Sequence, residues 1–201
     1  MNILSNNCAA GDIYKRILHQ PYQNPFIWTL FNPDDFIGFV ENFRTVNLNK
    51  IRFDNTNPNL GNNFDIIIDN TYRIKHIHMW FDPNYTTPTI VGDIDVHYNK
   101  IWEYIYMKYI TRLARMNKNE TPVIVFLDSD FNSTRITELP HICASNNYPA
   151  LIFTPNTKVV SLIDKNIHTI HVNLSIPFNP ISVIKTYSTL IKEFCDGTQT
   201  V

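Results

Sequence analysis

Two short runs constrain this chain more than anything else in it. Val123–Leu127 (VIVFL) is apolar at every position, and Ala150–Thr154 (ALIFT) at every position but the last. Side chains alternate across a strand, so a run with no polar alternation must be buried on both faces. Pro122 and Asp128 bracket the first run, which fits a short central strand. Strands covered on both sides need a layer above and a layer below, and such sheets are built from parallel strands with crossover helices.

The rest of the chain supplies those layers. Met1–Ser5 reads as a first short strand, followed by a helix from about Gly11 to Leu18. Asn32-Pro33 opens a second helix, with Asn as cap and Pro in the first turn. Its apolar face is Phe36, Phe39, Val40 and Phe43. The segment NLNKIRFDNTNPNLGNN reads as a loop. Phe64–Ile68 and Tyr72–Met79 are expected strands around a turn at Asp69-Asn70. Ile90–Val96 is expected as a further strand, and Asn99 as the cap of a helix running to Met116 with a stripe of Trp102, Ile105, Tyr109, Leu113 and Met116. Ile167–Val172 is another strand candidate. Asn179-Pro180 starts a last helix carrying Ile184, Tyr187, Ile191 and Phe194. The expectation is one α/β domain over residues 1–201: Rossmann-like, three-layered, mainly parallel, with some antiparallel pairing.

Composition excludes several function classes. Lys plus Arg is 17 against 18 for Asp plus Glu, without the basic excess of a dedicated nucleic-acid binder. The five glycines form neither a dinucleotide-binding nor a P-loop motif. Three cysteines are too few, and odd in number, for a disulfide framework. The opening MNILSNNCAAGD lacks the pattern of a secretory leader, and no apolar stretch is long enough to span a membrane. A cytoplasmic setting is the resulting expectation.

Three stretches carry candidate chemistry. The first is the loop Ser5-Asn6-Asn7-Cys8-Ala9-Ala10-Gly11, between a strand and a helix. Such junctions lie at the carboxyl edge of a parallel sheet, where ligands gather. A thiol at the start of the helix is expected to have a lowered pKa, and Asn6 and Asn7 can hydrogen-bond a ligand or an oxyanion. A small buried Cys among turn-forming Asn residues is the structural alternative. The second is Gly92-Asp93-Ile94-Asp95-Val96-His97. On a strand, Asp93, Asp95 and His97 share one face at spacings of about 7 Å, suited to orienting His97 as a proton acceptor or to holding a metal; a solvated edge strand is the plain alternative. The third is Asp128-Ser129-Asp130, just beyond an apolar strand, where an acid pair can hold a metal and a nucleotide diphosphate, or where Asp130 simply caps the following turn. If all three end parallel strands, one cleft contains them. Weaker features are His76 and His78, a pair on one strand face that can bind a metal but for which no third ligand is fixed by sequence, followed by Trp80 and Asp82, and Trp28, Phe31 and Trp80 as sugar-stacking rings for which core packing is the competing use.

Four blocks in order, ILSNNCAAGDIYKRI, NPFIWTLFNPDDFIGFVENF, VGDIDVHY and VIVFLDSD, resemble a family of uncharacterised proteins labelled exopolysaccharide-biosynthesis proteins. Ala9-Ala10 and Leu127-Asp128-Ser129-Asp130 depart from the family's usual pairs, the latter lacking an Arg. The resemblance implies a sugar or surface-glycan context and supplies no reaction. Together these readings give a sugar-modifying transferase. His97, oriented by Asp95 or Asp93, would deprotonate a sugar hydroxyl or amine, and Ser5, Asn6, Asn7, Gly11, Asp128 and Asp130 would hold sugar and donor. The donor stays open between a nucleotide sugar, S-adenosylmethionine and an acyl thioester, as do the cofactor and any metal. The alternatives are a non-enzymatic sugar-binding or assembly subunit and an acyltransferase or hydrolase dependent on Cys8.

Overall fold

The structure is a computed structural model in which residues 1–27, 29–54, 64–76, 94–128, 133–159, 166–172 and 180–197 are described. Two four-stranded sheets organise it. The first contains β1 (Ile3–Ser5), β6 (Val123–Leu127), β7 (Ala150–Thr154) and β8 (Ile167–His171) in the order β1-β6-β7-β8, all parallel. The second contains β2 (Thr29–Phe31), β3 (Ile51–Asp54), β4 (Phe64–Ile68) and β5 (Tyr72–His76) in the order β2-β5-β4-β3, all antiparallel. The helices are α1 (Ala9–Asp12), α2 (Pro33–Asn42), α3 (Ile94–Arg115), α4 (Leu139–Asn146), α5 (Pro180–Thr186) and α6 (Ser188–Gly197).

The doubly buried runs sit where their composition demands. Ile124 and Phe126 of β6, with Leu4, Ala150 and Ile152, pack into one cluster against α2, α3, α4 and the antiparallel sheet. Val123, Val125 and Leu127, with Ile3, Leu151 and Phe153, pack on the opposite face against α1, α5 and α6. The parallel sheet is therefore the middle of three layers, and alternate residues of one strand serve different clusters. Much of the aromatic content fills the first cluster: Phe26, Phe31, Phe36, Phe39, Phe43 and Tyr109 are buried, and Phe39 lies 5.0 Å from Phe26 and 5.2 Å from Phe31 between ring centroids. Phe31 is thus a core residue. Trp28, His78, Trp80 and Asp82 lie outside the described residues.

Local chemistry explains the element ends. The Asn32 side chain accepts from the backbone N–H of Asp34 at 3.0 Å and Asp35 at 3.5 Å, with Pro33 in the first turn of α2. Asp69 and Asn70 both take positive φ, 50° and 60°, a conformation Asp and Asn tolerate, in the turn Asp69–Thr71 between β4 and β5, where the Thr71 N–H donates to the Ile68 carbonyl at 3.0 Å.

Three expectations are corrected. The segment read as a loop from Asn47 contributes β3, because Ile51–Asp54 finds a partner in Asp65–Ile68. The first helix begins at Ala9 and passes after Asp12 into a π-helical turn, Ile13–Ile17. The strand expected over Ile90–Val96 does not end where it was placed: α3 already runs from Ile94, so Asp95 and His97 belong to a helix. Residues two apart on a helix are separated by about 200° around its axis. The alternation that aligned Asp93, Asp95 and His97 on one face therefore does not apply. Asp93 itself lies outside the described residues.

Candidate functional site

Because β1, β6 and β7 are parallel and in register from Ser5 opposite Val125 and from Leu127 opposite Phe153, their carboxyl ends meet at one edge. β1 delivers Ser5–Cys8 there, β6 delivers Asp128 and β7 delivers Thr154. Two of the three sequence candidates, the Ser5–Gly11 loop and Asp128, are thus brought to the same edge. The third is not brought there by a strand, since His97 sits on α3, outside the parallel sheet. Asp130 falls outside the described residues.

Asn6 is a structural bracket. Its amide Nδ2 donates to the Leu127 carbonyl at 2.8 Å, and its Oδ1 accepts from the Leu127 N–H at 3.0 Å. Its own carbonyl accepts from the Phe31 N–H at 2.9 Å, tying β1 to β2. One residue thereby continues the β1–β6 ladder past its end and joins the two sheets.

Asn7 and Ser5 shape the turn into α1. Asn7 Oδ1 accepts from the Ala9 N–H at 3.0 Å and from the Ser5 hydroxyl at 3.4 Å. The Asn7 amide Nδ2 is buried and has no hydrogen-bond partner among the described residues. Cys8 O accepts from the N–H groups of Gly11 at 3.0 Å and Asp12 at 3.4 Å. The amides of Ala9, Gly11 and Asp12 at the start of α1 are therefore already engaged. Few N–H groups are left there for a ligand, and α1 itself is a single turn.

Cys8 does not behave as the sequence suggested. Burial, reinforced by the negative charge of Asp12, pushes its thiol up to about 11. A protonated thiol is a poor nucleophile, so the lowered pKa expected from a helix start is overturned by desolvation. Cys143 and Cys195 are each pushed up to about 12 by burial and are core residues.

Two site residues escaped the sequence reading. Asp12, 1 % exposed, pairs through Oδ1 with the Arg16 guanidinium at 2.8 Å, while its buried Oδ2 has no partner among the described residues. Its signal was the spacing of four from Cys8, which places it on the same side of the helical turn. Thr154 is fully buried and donates from its hydroxyl to Asp128 Oδ2 at 2.8 Å. Its signal was that it is the one polar residue closing an apolar strand.

The chain beyond Asp128 is anchored from the other sheet's side. Asp34, in the first turn of α2, accepts from the Ser133 hydroxyl at 2.7 Å, the Thr134 hydroxyl at 2.7 Å, and the N–H groups of Thr134 at 3.0 Å and Arg135 at 3.3 Å. The Arg135 guanidinium then bridges Glu41 at 3.0 Å and Glu138 at 2.7 Å.

A family model described as a domain of unknown function, DUF1919, matches residues 1–164. The chain belongs to this family. The match spans the carboxyl-edge loop, Asp128 and Thr154, and ends just before β8. No curated protein and no solved structure matches the chain. Among the described residues, no helix of this DUF1919 protein is long and apolar enough to cross a membrane, and no group of three or more His, Cys, Asp or Glu is placed to hold a metal ion.

Proposed function

We propose that this DUF1919 protein is a sugar-modifying transferase of polysaccharide or surface-glycan assembly, with its acceptor at the carboxyl edge of the parallel sheet. One observation carries the reading: Asn7 Nδ2 and Asp12 Oδ2 are both buried at that edge and both lack a hydrogen-bond partner among the described residues. An unsatisfied buried polar group costs about 1–3 kcal/mol. One is a donor and the other an acceptor, and a sugar hydroxyl supplies the complement of both. The four-block resemblance to exopolysaccharide-biosynthesis proteins supports the same class of ligand.

The chemistry follows from the charges. Asp12 accepts the proton of the attacking hydroxyl at Oδ2, the role sequence reasoning assigned to His97. The hydroxyl oxygen bonds to the electrophilic carbon of the donor, whose leaving group departs with the electron pair of the broken bond. Nucleotide sugar, S-adenosylmethionine and acyl thioester all meet that requirement. A donor's phosphates are not held at the start of α1, where the amides are engaged and Asp12 is close by.

The test combines binding and turnover. Thermal unfolding is followed against a panel of sugars, nucleotide sugars, S-adenosylmethionine and coenzyme A, for the natural protein and for Asp12→Asn and His97→Ala. A ligand at a hundred times its dissociation constant adds about 2.7 kcal/mol. Stabilisation by a sugar, with turnover lost in Asp12→Asn, supports the reading. Turnover lost only in His97→Ala returns the proton-acceptor role to α3. Sugar binding without turnover under any donor makes the protein a binding subunit, and no sugar response at all removes the proposal.

A further inference from the structure

The opposite edge of the parallel sheet carries a second feature that the carboxyl-edge reading does not use. A cleft of about 450 Å³ opens between the end of α2 and the turn that enters β6. That volume lies within the usual range of small-molecule sites. Phe43 and Pro122 form its buried floor, and Arg44, Lys118, Asn119 and Thr121 form its exposed polar wall.

The wall is held in place and is positively charged. Asn117 organises the turn: its carbonyl accepts from the Glu120 N–H at 3.1 Å and from Asn2 Nδ2 at 2.8 Å, and its Oδ1 accepts from the Asn119 N–H at 3.1 Å. Arg44 reaches the carbonyl of Asn146 at 3.4 Å and the side chain of Tyr148, with its guanidinium 5.5 Å from that ring's centre. Lys118 likewise reaches a carbonyl, that of Val46 at 3.5 Å. Neither cation has a carboxylate partner among the described residues. The acid in the lining, Glu120, is engaged by the Met1 amino group at 2.7 Å. Two cations from separate elements, unneutralised, flank one concavity.

We propose that this cleft binds the phosphoryl group of a small phosphomonoester. Such a group carries a charge of about −1.5 to −2 near neutral pH and three acceptor oxygens, matching two cations. Arg44 offers a planar fork to two oxygens, and Lys118 adds a point charge. Asn119 and Thr121 can bond the remaining oxygen or a hydroxyl of the ester, whose carbon body rests on Phe43 and Pro122. The site lies roughly 16 Å from the carboxyl edge, the length of a five-residue strand, and does not depend on the function proposed there.

The experiment is titration calorimetry with inorganic phosphate, glucose 1-phosphate and glucose. The proteins are the natural chain, Arg44→Gln, Lys118→Gln, the double variant, and, as an unrelated control, Lys192→Gln, an exposed cation of α6 paired with Asp196. Both cations are exposed, so the variants are expected to fold, and circular dichroism checks this. The expected result is binding of both phosphates, tighter for the sugar phosphate, weakened about tenfold by each single substitution (about 1.4 kcal/mol). Lys192→Gln should leave it unchanged. Binding of inorganic phosphate alone narrows the ligand to the anion and overturns the ester body. Absence of phosphate binding, or equal binding by the double variant, overturns the site and leaves Arg44 and Lys118 as partners of the Asn146 and Val46 carbonyls.

Discussion

Replacing Asp34 by Ala removes a single carboxylate that holds the chain beyond Asp128 through four donors: two hydroxyls at 2.7 Å and two backbone N–H groups at 3.0 and 3.3 Å. Four hydrogen bonds at about 1 kcal/mol net each would give about 4 kcal/mol. Water reaches the partly exposed carboxylate and can replace the lost partners, so about half of that, ~2 kcal/mol, is the expected loss. The pH dependence follows from the same contacts. Burial works against the charged form of Asp34, but the bonds from Thr134, Ser133 and Arg135 outweigh it and hold the carboxyl below its ordinary value. A depressed folded-state pKa gives stability that is fully present above the unfolded pKa, about 3.9 for Asp, and lost as pH falls through the folded value. Asp35 goes the other way: burial, then the charge of Asp34, raises it despite the opposing effect of Arg73. The difference between natural and Asp34→Ala profiles largely cancels the part of Asp35 that does not depend on Asp34. Urea unfolding across pH, at constant salt, measures this. The midpoint of the variant should fall at neutral pH with unchanged slope, and the two proteins should converge in acid. A gap under about 0.5 kcal/mol at pH 7, or one that persists unchanged into acid, would show that the anchor contributes little and that the reasoning is wrong.

Three further outcomes follow from the same contacts. Asn6→Ala leaves the Leu127 N–H and carbonyl without their partner, and should cost about 2–4 kcal/mol in urea unfolding; Asn6→Asp, which sets a carboxylate oxygen against the Leu127 carbonyl, should cost more. Tyr14→Phe removes a buried hydroxyl that donates to the Met1 carbonyl at 2.6 Å and accepts from the Ile3 N–H at 3.0 Å, and should cost about 2 kcal/mol; a neutral result would mean that water takes over both bonds. Cys8, pushed up to about 11, should react slowly with iodoacetamide at pH 7 and about tenfold faster per pH unit as its thiolate fraction grows; rapid, pH-independent labelling near neutrality would restore the nucleophile reading.

Several elements were legible because one residue type decides them. A short apolar run bounded by turn signals fits a strand covered on both faces, and β6 and β7 are that. Asn32-Pro33 and Asp69-Asn70 are local devices whose backbone preferences hold regardless of the rest of the fold. The stretch Asp93–His97 misled because alternation over five residues fits a strand, while Ile94–His97 open a 22-residue helix whose later apolar positions recur at helical spacing. Long-range partners were not legible: nothing near Ile51 announces its pairing with Ile68. At the candidate site the Ser5–Cys8 loop was visible as a strand-to-helix junction, whereas Asp12 and Thr154 read as ordinary helix and strand residues. The charge state of Cys8 was misjudged because the start of a helix can be read from sequence and the degree of burial cannot.

The charges divide between the two edges of the parallel sheet, and this division makes the two proposed sites separable by pH. Asp12 and Asp128 are buried at the carboxyl edge, 1 % and 2 % exposed, so a phosphate placed there would face two carboxylates in a medium of low dielectric. Such an anion is disfavoured there. The amino-edge cleft has the opposite character, with the cations Arg44 and Lys118 in its wall. The phosphoryl group loses charge as pH falls through its second pKa, about 6. Phosphomonoester affinity that weakens from pH 7 to pH 5 is therefore the expected signature of the amino-edge cleft. A neutral sugar carries no group that titrates over that interval. The two ligands therefore respond differently to pH, and one titration series separates them before any variant is made.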